Sequence, residues 1–94
     1  FEGALMHRDS LGCIQRITPG DVNWMTAGRG IVHSERSPDD ERNTSRTLHG
    51  LQIWIALPQA DEGTEPDFSH HPRASLPVLP LANAELRLIA GKGW

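Results

Sequence analysis

A histidine and a glutamate stand two positions apart in the segment Ile31-Val32-His33-Ser34-Glu35. Side chains two residues apart on a β-strand point to the same face of the sheet. His33 and Glu35 would then present an imidazole and a carboxylate side by side, which is half of a transition-metal site. Judged from the two residues alone, a surface ion pair is the commoner role, so the surrounding sequence has to decide between the two.

The residues before this pair predict the elements that would position it. Gly20-Asp21 follows Pro19 and predicts a turn. The segment 22–26 is too short for a helix and suits a strand. In Ala27-Gly28-Arg29-Gly30, the two glycines can adopt a positive φ without a Cβ clash. We therefore predict a bend that redirects the chain into a second short strand, residues 31–35.

Other short strand-like segments occur along the chain. Residues 3–7 and 13–17 predict a hairpin around a turn at 8–12, which contains Asp9 and Gly12. Residues 84–90 alternate apolar and polar side chains over their first half and also predict a strand. Many short strands, frequent turns and little helical periodicity predict an all-β barrel or sandwich.

The segment 47–57 has the clearest strand pattern. Four apolar residues at alternate positions give it this pattern, Leu51, Ile53, Ile55 and Leu57. Pro58 should end the strand, because proline has no N–H for a ladder. The following segment, 61–80, contains four prolines and predicts an irregular connector in which His70 and His71 face solvent.

The motif from Gly20 to His33 resembles the second motif of the cupins, which are small β-barrels with a metal in the bore. The longer string Trp-Met-Thr-Ala-Gly-Arg-Gly-Ile-Val-His-Ser-Glu, residues 24–35, resembles the pirin family of bicupins. Further segments look like pirin segments and stand in pirin order: Phe1-Glu2-Gly3, His7-Arg8-Asp9-Ser10, residues 49–58, and Thr64-Glu65-Pro66. The resemblance covers residues 1–72, and the remainder matches more loosely.

The resemblance implies a cupin fold, the double-stranded β-helix or jelly-roll barrel. Residues 1–72 would form part of the N-terminal barrel of a bicupin, without its first strands. Residues 73–94 would form a connector and the first strand of a C-terminal cupin domain. The chain starts at Phe1 as if at the end of a strand and stops soon after residue 90, so we expect a fragment of a longer protein.

Pirins bind one metal, usually iron, through three histidines and one glutamate. Two of these histidines form a His-x-His pair upstream of the segment that begins here, and this chain lacks that pair. The resemblance therefore carries over only His33 and Glu35 as metal ligands. Imidazole nitrogens and one carboxylate oxygen suit Fe(II) first, and Ni, Mn, Cu or Zn fit the same donors.

Bacterial pirin-like proteins are associated with quercetin 2,3-dioxygenase activity, in which dioxygen opens a flavonol ring. The resemblance thus implies a small aromatic, flavonoid-like substrate and dioxygen, with Glu35 as a ligand that also accepts the hydroxyl proton of the substrate. Eukaryotic pirins are iron-dependent co-regulators. The alternative is therefore a non-enzymatic module that binds a regulatory protein partner.

Several other residues are candidates for the surroundings of the metal. The pocket wall would be formed by Trp24, Met25, Gln52 and Trp54. For both tryptophans, a place in the core is the default expectation. His49 either hydrogen-bonds a metal ligand and orients it, or is a plain residue at the start of a strand. His7 is read as a hydrogen-bonded turn histidine rather than a ligand.

Length and charge limit the remaining functions. Ninety-four residues make one small domain at most, with a net charge of −3. No basic stripe is present, so we predict no direct nucleic-acid binding, and no apolar run has membrane-spanning length. Cys13 is the only cysteine, which excludes an internal disulfide and suits a reducing cytoplasm. We read Cys13 as a small apolar strand residue rather than a nucleophile.

Overall fold

A computed structural model describes residues 1–92 of the chain, which form β-strands and short 3₁₀ turns. The strands are β1 Leu5–Asp9, β2 Ile14–Ile17, β3 Val22–Thr26, β4 His33–Arg36, β5 Asp67–His71, β6 Val78–Leu81 and β7 Ala84–Arg87. The 3₁₀ helices are Asp39–Glu41, Gln59–Asp61 and Arg73–Ser75. The all-β prediction is confirmed. None of the helices in residues 1–92 combines the length and apolar character that a membrane-spanning helix needs.

A three-stranded antiparallel sheet with the order β2-β1-β4 contains the predicted hairpin. Asp9 stabilises the hairpin turn, because its Oδ1 accepts the backbone N–H groups of Leu11 and Cys13 at 2.9 and 3.1 Å. The other edge of β1 pairs with β4, and in this ladder His7 lies opposite Glu35 and Asp9 lies opposite His33. The prediction ended the first strand at His7, whereas β1 continues to Asp9.

A second sheet joins β3 to β5, and it corrects the prediction for residues 61–80. The segment Asp67–His71 is a strand rather than an irregular connector, since it forms a five-residue antiparallel ladder with β3. His70 is half-buried and its Nδ1 lies 2.8 Å from Oδ1 of Asn23. The expectation that His70 faces solvent is therefore wrong, whereas His71 is exposed. Pro66 and Pro72 bound this strand on either side without interrupting its hydrogen bonds.

The third sheet is the hairpin of β6 and β7. The predicted strand over 84–90 is present as Ala84–Arg87. Its partner, Val78–Leu81, overlaps the end of the proline-rich segment and includes Pro80. Strand β6 has a single ladder partner among the described residues, so a proline that cannot donate a hydrogen bond is tolerated there.

The predicted bend at residues 27–30 is anchored to a distant segment. Gly28 has a φ of +52° and packs so closely on Thr64 that a Cβ would overlap the Thr64 carbonyl. The Arg29 N–H donates to that same carbonyl at 2.8 Å. Only glycine combines this φ with this approach. The bend therefore fixes where β4, with His33 and Glu35, begins.

The clearest predicted strand, residues 47–57, is not a strand in the structure. Its only ladder contact within residues 1–92 is an isolated bridge between His49 and Glu2. Ile53 and Ile55 are about two-thirds exposed, at 64% and 65%. The alternating pattern favours an extended segment, but an extended segment becomes a strand only when a neighbouring strand pairs with it. No described strand lies beside residues 50–57 to accept their backbone hydrogen bonds.

The described part of the chain has no buried apolar core. No hydrophobic side chain of residues 1–92 is fully buried, and the fully buried residues are His7 and Pro38. The expectation that Trp24 and Trp54 belong to a core is wrong, because they are 40% and 87% exposed. Apolar burial depends on a facing layer of structure, and none of the described residues provides one for these two indoles.

Candidate metal centre

The pairing of β1 with β4 gathers four polar side chains on one face of the sheet. His7 and Asp9 are two positions apart on β1, and His33 and Glu35 are two positions apart on β4. Each pair stands opposite the other in the register, and cross-strand partners share a face. The predicted convergence of His33 and Glu35 is therefore extended by two residues of the neighbouring strand.

Three of these residues could hold a metal ion together. His7, His33 and Glu35 each offer one donor atom, and the three atoms lie within 4.8 Å of one another. Nδ1 of His7 is 3.9 Å from Oε1 of Glu35. That nitrogen is buried and has no hydrogen-bond partner within the described part of the chain. A buried nitrogen without a partner is costly, so its surroundings fit a group that would bind it.

The His7 ring is held in place from two sides. Its Nε2 lies 2.8 Å from Oδ2 of Asp9, and its side chain is 2% exposed. The ring of Phe68, on β5, stacks on it at 4.2 Å between centroids and 9° between planes. The two sheets thus meet at His7, with Nδ1 left to face Glu35.

Asp9 places a negative charge next to His7, on the side of the ring that faces away from Glu35. Burial raises the pKa of its carboxyl, but hydrogen bonds from His7 and from the backbone N–H groups of Cys13 and Leu11 outweigh burial. The net effect lowers the pKa of Asp9. It is therefore ionised at neutral pH and can only accept hydrogen bonds.

The sequence predicts His7 as a hydrogen-bonded turn histidine rather than a metal ligand. Its hydrogen bond to Asp9 agrees with that reading, but His7 also lies beside His33, with ring centroids 5.7 Å apart. His7 and Asp9 are two positions apart, as His33 and Glu35 are, so each pair shares one face of its strand. The predicted strand ends at His7, and Asp9 was therefore not expected on that face.

The four candidate pocket residues are not gathered around the site. Met25 pairs with Phe68 in the β3–β5 ladder, so its side chain shares the face that contacts His7. Trp24 is one position away and points to the opposite face. Gln52 and Trp54 lie in the exposed segment that pairs with no strand of residues 1–92.

His49 also lies outside the metal group. It is exposed and exchanges two backbone hydrogen bonds with Glu2, both 3.0 Å long. Its ring is 5.0 Å from that of Phe1. Among the hydrogen bonds of the described residues, none joins its side chain to His7, His33 or Glu35. Within the described residues, His49 is therefore not a hydrogen-bond partner of these three side chains, and its role as an orienting residue stays a prediction.

Cys13 should react slowly with alkylating reagents, in line with its reading as a non-nucleophile. Burial raises the pKa of the thiol, and the neighbouring charges of Asp9 and Asp67 raise it further. The thiolate fraction at pH 7 should therefore be below that of free cysteine. We expect alkylation by iodoacetamide, followed by mass spectrometry, to lag behind N-acetylcysteine at pH 7 and to accelerate only at a higher pH than N-acetylcysteine does. Labelling as fast as the free thiol at pH 7 would contradict this.

Known proteins resemble the chain over nearly its whole length. A pirin-like protein of Caulobacter vibrioides is 45% identical over 95 residues, which cover 100% of this chain and 33% of the relative. Human pirin is 32% identical over 90 residues, which cover 96% of this chain and 29% of the relative. The chain thus spans about a third of the length of these curated relatives.

Solved structures agree with the fold. A crystal structure of a quercetin 2,3-dioxygenase from Acinetobacter baumannii matches with a TM-score of 0.86 and 43% sequence identity, over 98% of this chain and 29% of that one. This likeness identifies the described sheets as part of a cupin barrel. The family model for pirin matches residues 1–55, which include the bend and the whole β1–β4 pair. The chain therefore belongs to the pirin family.

Proposed function

We propose that this chain carries part of the metal site of a pirin-like flavonol 2,3-dioxygenase, with His33 and Glu35 as metal ligands. The observation that carries the proposal is the β1–β4 register. It sets these two side chains on one face, against a buried imidazole whose Nδ1 has no hydrogen-bond partner among the described residues. The similarity to the quercetin 2,3-dioxygenase of Acinetobacter baumannii supports the choice of reaction.

The donor set favours Fe(II), followed by Ni, Mn, Cu or Zn. Nitrogen and carboxylate donors with open positions are typical of non-haem iron oxygenases. When bound, such an ion supplies a positive charge and an electron-transfer partner for the reaction of a flavonol with dioxygen. Glu35 is 35% exposed in its side chain, so one carboxylate oxygen is accessible to a substrate as well as to a metal. In our proposal it accepts the proton of the flavonol hydroxyl.

The surroundings of the site would bind the aromatic substrate. Met25 and Phe68 form an apolar surface next to His7, and this surface would contact a flavonol ring and exclude water. Gln52, Trp24 and Trp54 would join the pocket wall only in a more complete barrel. We further propose that residues 1–72 belong to the first cupin barrel and 73–94 lead towards a second. The separate β6–β7 sheet supports this division.

Oxygen uptake by the full-length protein tests the proposal. We expect dioxygen consumption that depends on a flavonol, disappears after a chelator removes the metal, and returns when Fe(II) is restored. A panel of flavonols with and without the 3-hydroxyl group would report whether that hydroxyl is required. Metal content measured by atomic emission at about one ion per site accompanies the assay. Protein that is metal-loaded but consumes no dioxygen with any flavonol would exclude the enzyme.

The alternative function, which the pirin resemblance implies, is a non-enzymatic, iron-dependent module that binds a regulatory protein. The similarity to human pirin supports it. A regulatory protein partner whose binding changes between Fe(II) and Fe(III) protein in a pull-down, without flavonol turnover, would identify this function. For either function we propose a reducing cytoplasmic location, which suits the lone Cys13 and which cell fractionation would check.

A further inference from the structure

The face of the β3–β5 sheet that contacts His7 carries a polar pair next to an apolar pair. Asn23 on β3 lies opposite His70 on β5. Two positions further along the ladder, Met25 lies opposite Phe68, the residue that stacks on His7. Residues two positions apart on a strand share a face and are about 7 Å apart. The polar pair therefore continues the apolar surface that is proposed above to contact a flavonol ring.

The side-chain amide of Asn23 has one atom with a partner and one without. Its Oδ1 lies 2.8 Å from Nδ1 of His70. Its Nδ2 is buried and has no hydrogen-bond partner among residues 1–92. Turning the amide by 180° would exchange the two atoms, so one of them stays without a partner in either orientation. A buried polar atom in this state is costly, and a ligand that supplies a partner would remove the cost.

His70 is confined between this amide and a fixed carboxylate. Its Nε2 lies 3.9 Å from Oδ2 of Asp21. Asp21 is held in turn by its neighbours, because Oδ2 accepts the backbone N–H and the hydroxyl of Thr18 at 2.9 and 2.7 Å. Its Oδ1 accepts the N–H of Arg73, just after β5, at 2.8 Å. The imidazole therefore has a defined place at the end of the ladder, and its contact with Asn23 orients the amide.

The position of Asn23 suits a part of the ligand that is remote from the reacting group. Oε1 of Glu35, the proposed acceptor of the substrate's hydroxyl proton, lies 3.9 Å from Nδ1 of His7. The His7 ring and the Phe68 ring, 4.2 Å apart between centroids, then separate Glu35 from the polar pair. A flavonol is a flat molecule of three rings with hydroxyl groups towards both ends. With its reacting hydroxyl at Glu35, an outer ring would extend towards Asn23.

We propose that Asn23 is a substrate-binding residue that hydrogen-bonds a hydroxyl group on an outer ring of the flavonol, and that His70 is the positioning residue that orients its amide. This inference rests on the proposed flavonol dioxygenase function. A hydroxyl both donates and accepts, so it satisfies the free atom of the amide in either orientation. Asn23 is half-buried as a residue, so rotation of its side chain brings the amide to a ligand on this face. The site then prefers flavonols with hydroxylated outer rings.

Substrate preference tests the role of Asn23 in the full-length protein. The two substrates are 3-hydroxyflavone, which has only the reacting hydroxyl, and quercetin, which has further hydroxyls on both outer rings. Asn23→Leu keeps the size of the side chain and removes its polar atoms. We expect kcat/KM for quercetin to fall about 3- to 10-fold, mainly through KM, because one hydrogen bond is lost. The value for 3-hydroxyflavone should stay within about twofold, since that substrate has no group for Asn23.

A matched control lies one position from His70. The side chain of Ser69 points to the opposite face of β5, so Ser69→Ala should keep the substrate preference of the unmodified protein. If leucine at position 23 unfolds the sheet, Asn23→Ser gives the same test, because its shorter side chain does not reach the ligand. Equal losses for the two flavonols in a folded variant would overturn the role of Asn23.

Two variants test the positioning role of His70. His70→Leu removes the partner of the Asn23 amide and should lose the preference for quercetin, as Asn23→Leu does. His70→Gln offers donor and acceptor atoms in place of the imidazole and should retain most of the preference. A merely structural histidine would affect both substrates alike. A preference for quercetin that survives in His70→Leu would remove His70 from the role.

Binding measured without dioxygen separates this inference from the function on which it rests. Isothermal titration calorimetry under nitrogen gives the Kd of each flavonol while no turnover occurs. We expect quercetin to bind more tightly than 3-hydroxyflavone, and the difference to disappear in Asn23→Leu. No oxygen consumption with any flavonol would overturn the proposed function, whatever the Kd values are. A Kd for quercetin that Asn23→Leu leaves unchanged would overturn this inference, whatever the oxygen rates are.

Discussion

Replacing Glu35 by alanine is expected to lower flavonol-dependent oxygen consumption by about 100-fold or more. The substitution removes a metal ligand and the proposed acceptor of the substrate's hydroxyl proton in one step. It should leave the fold in place, because Glu35 is partly exposed and its side chain makes no hydrogen bond within residues 1–92. Oxygen-electrode rates at matched metal content are the measurement.

A matched control separates the role of this carboxylate from a general loss of charge. Glu65 is exposed and its carboxylate pairs with Arg29 at 2.7 Å, away from the metal group. Glu65→Ala should keep its rate within about twofold, because exposed ion pairs contribute little to stability. Turnover retained by Glu35→Ala protein that is replete with metal would remove Glu35 from the mechanism.

Replacing Gly28 by alanine is expected to destabilise the fold by more than about 2 kcal/mol. The added Cβ would overlap the Thr64 carbonyl, a backbone atom that cannot rotate away. Alanine also resists the φ of +52° at this position. The hydrogen bond from Arg29 to Thr64 would be displaced, and β4 would start from a different place. Urea unfolding followed by circular dichroism measures the change.

Gly12 provides the control for the backbone conformation alone. Its φ is +85°, and a Cβ there would meet no atom within 4 Å. Gly12→Ala should therefore cost only about 1 kcal/mol, the penalty for a left-handed residue. The difference between the two variants isolates the contact between the bend and Thr64. Equal losses would mean that this contact does not hold the bend.

Local patterns predicted those elements that depend only on neighbouring residues. Turn residues and alternation identified the first hairpin, the strand Val22–Thr26 and the bend at Gly28. The alternation of residues 47–57 identified a strand-like segment equally well, yet it forms no strand among the described residues. Pairing is not encoded in a single segment, because each backbone hydrogen bond needs a group from another strand.

The candidate metal group was also predictable only in part from local sequence. The His33-x-Glu35 spacing is sufficient to predict that both side chains share a face. His7 could not be added from spacing, since 26 positions separate it from His33 and only the β1–β4 register makes them neighbours. The stacking of Phe68 on His7 likewise depends on how β5 packs, and the prolines beside β5 concealed that strand.

The amino-acid sequence alone determined the family resemblance, the all-β class and the His33–Glu35 pair, because these follow from residue types and short spacings. Only the tertiary structure decided that His7 and Asp9 lie beside that pair, that Thr64 requires glycine at position 28, and that Trp54 is left uncovered. These features join residues that are distant in the chain. Strand register and packing bring such residues together, and no local pattern specifies either one.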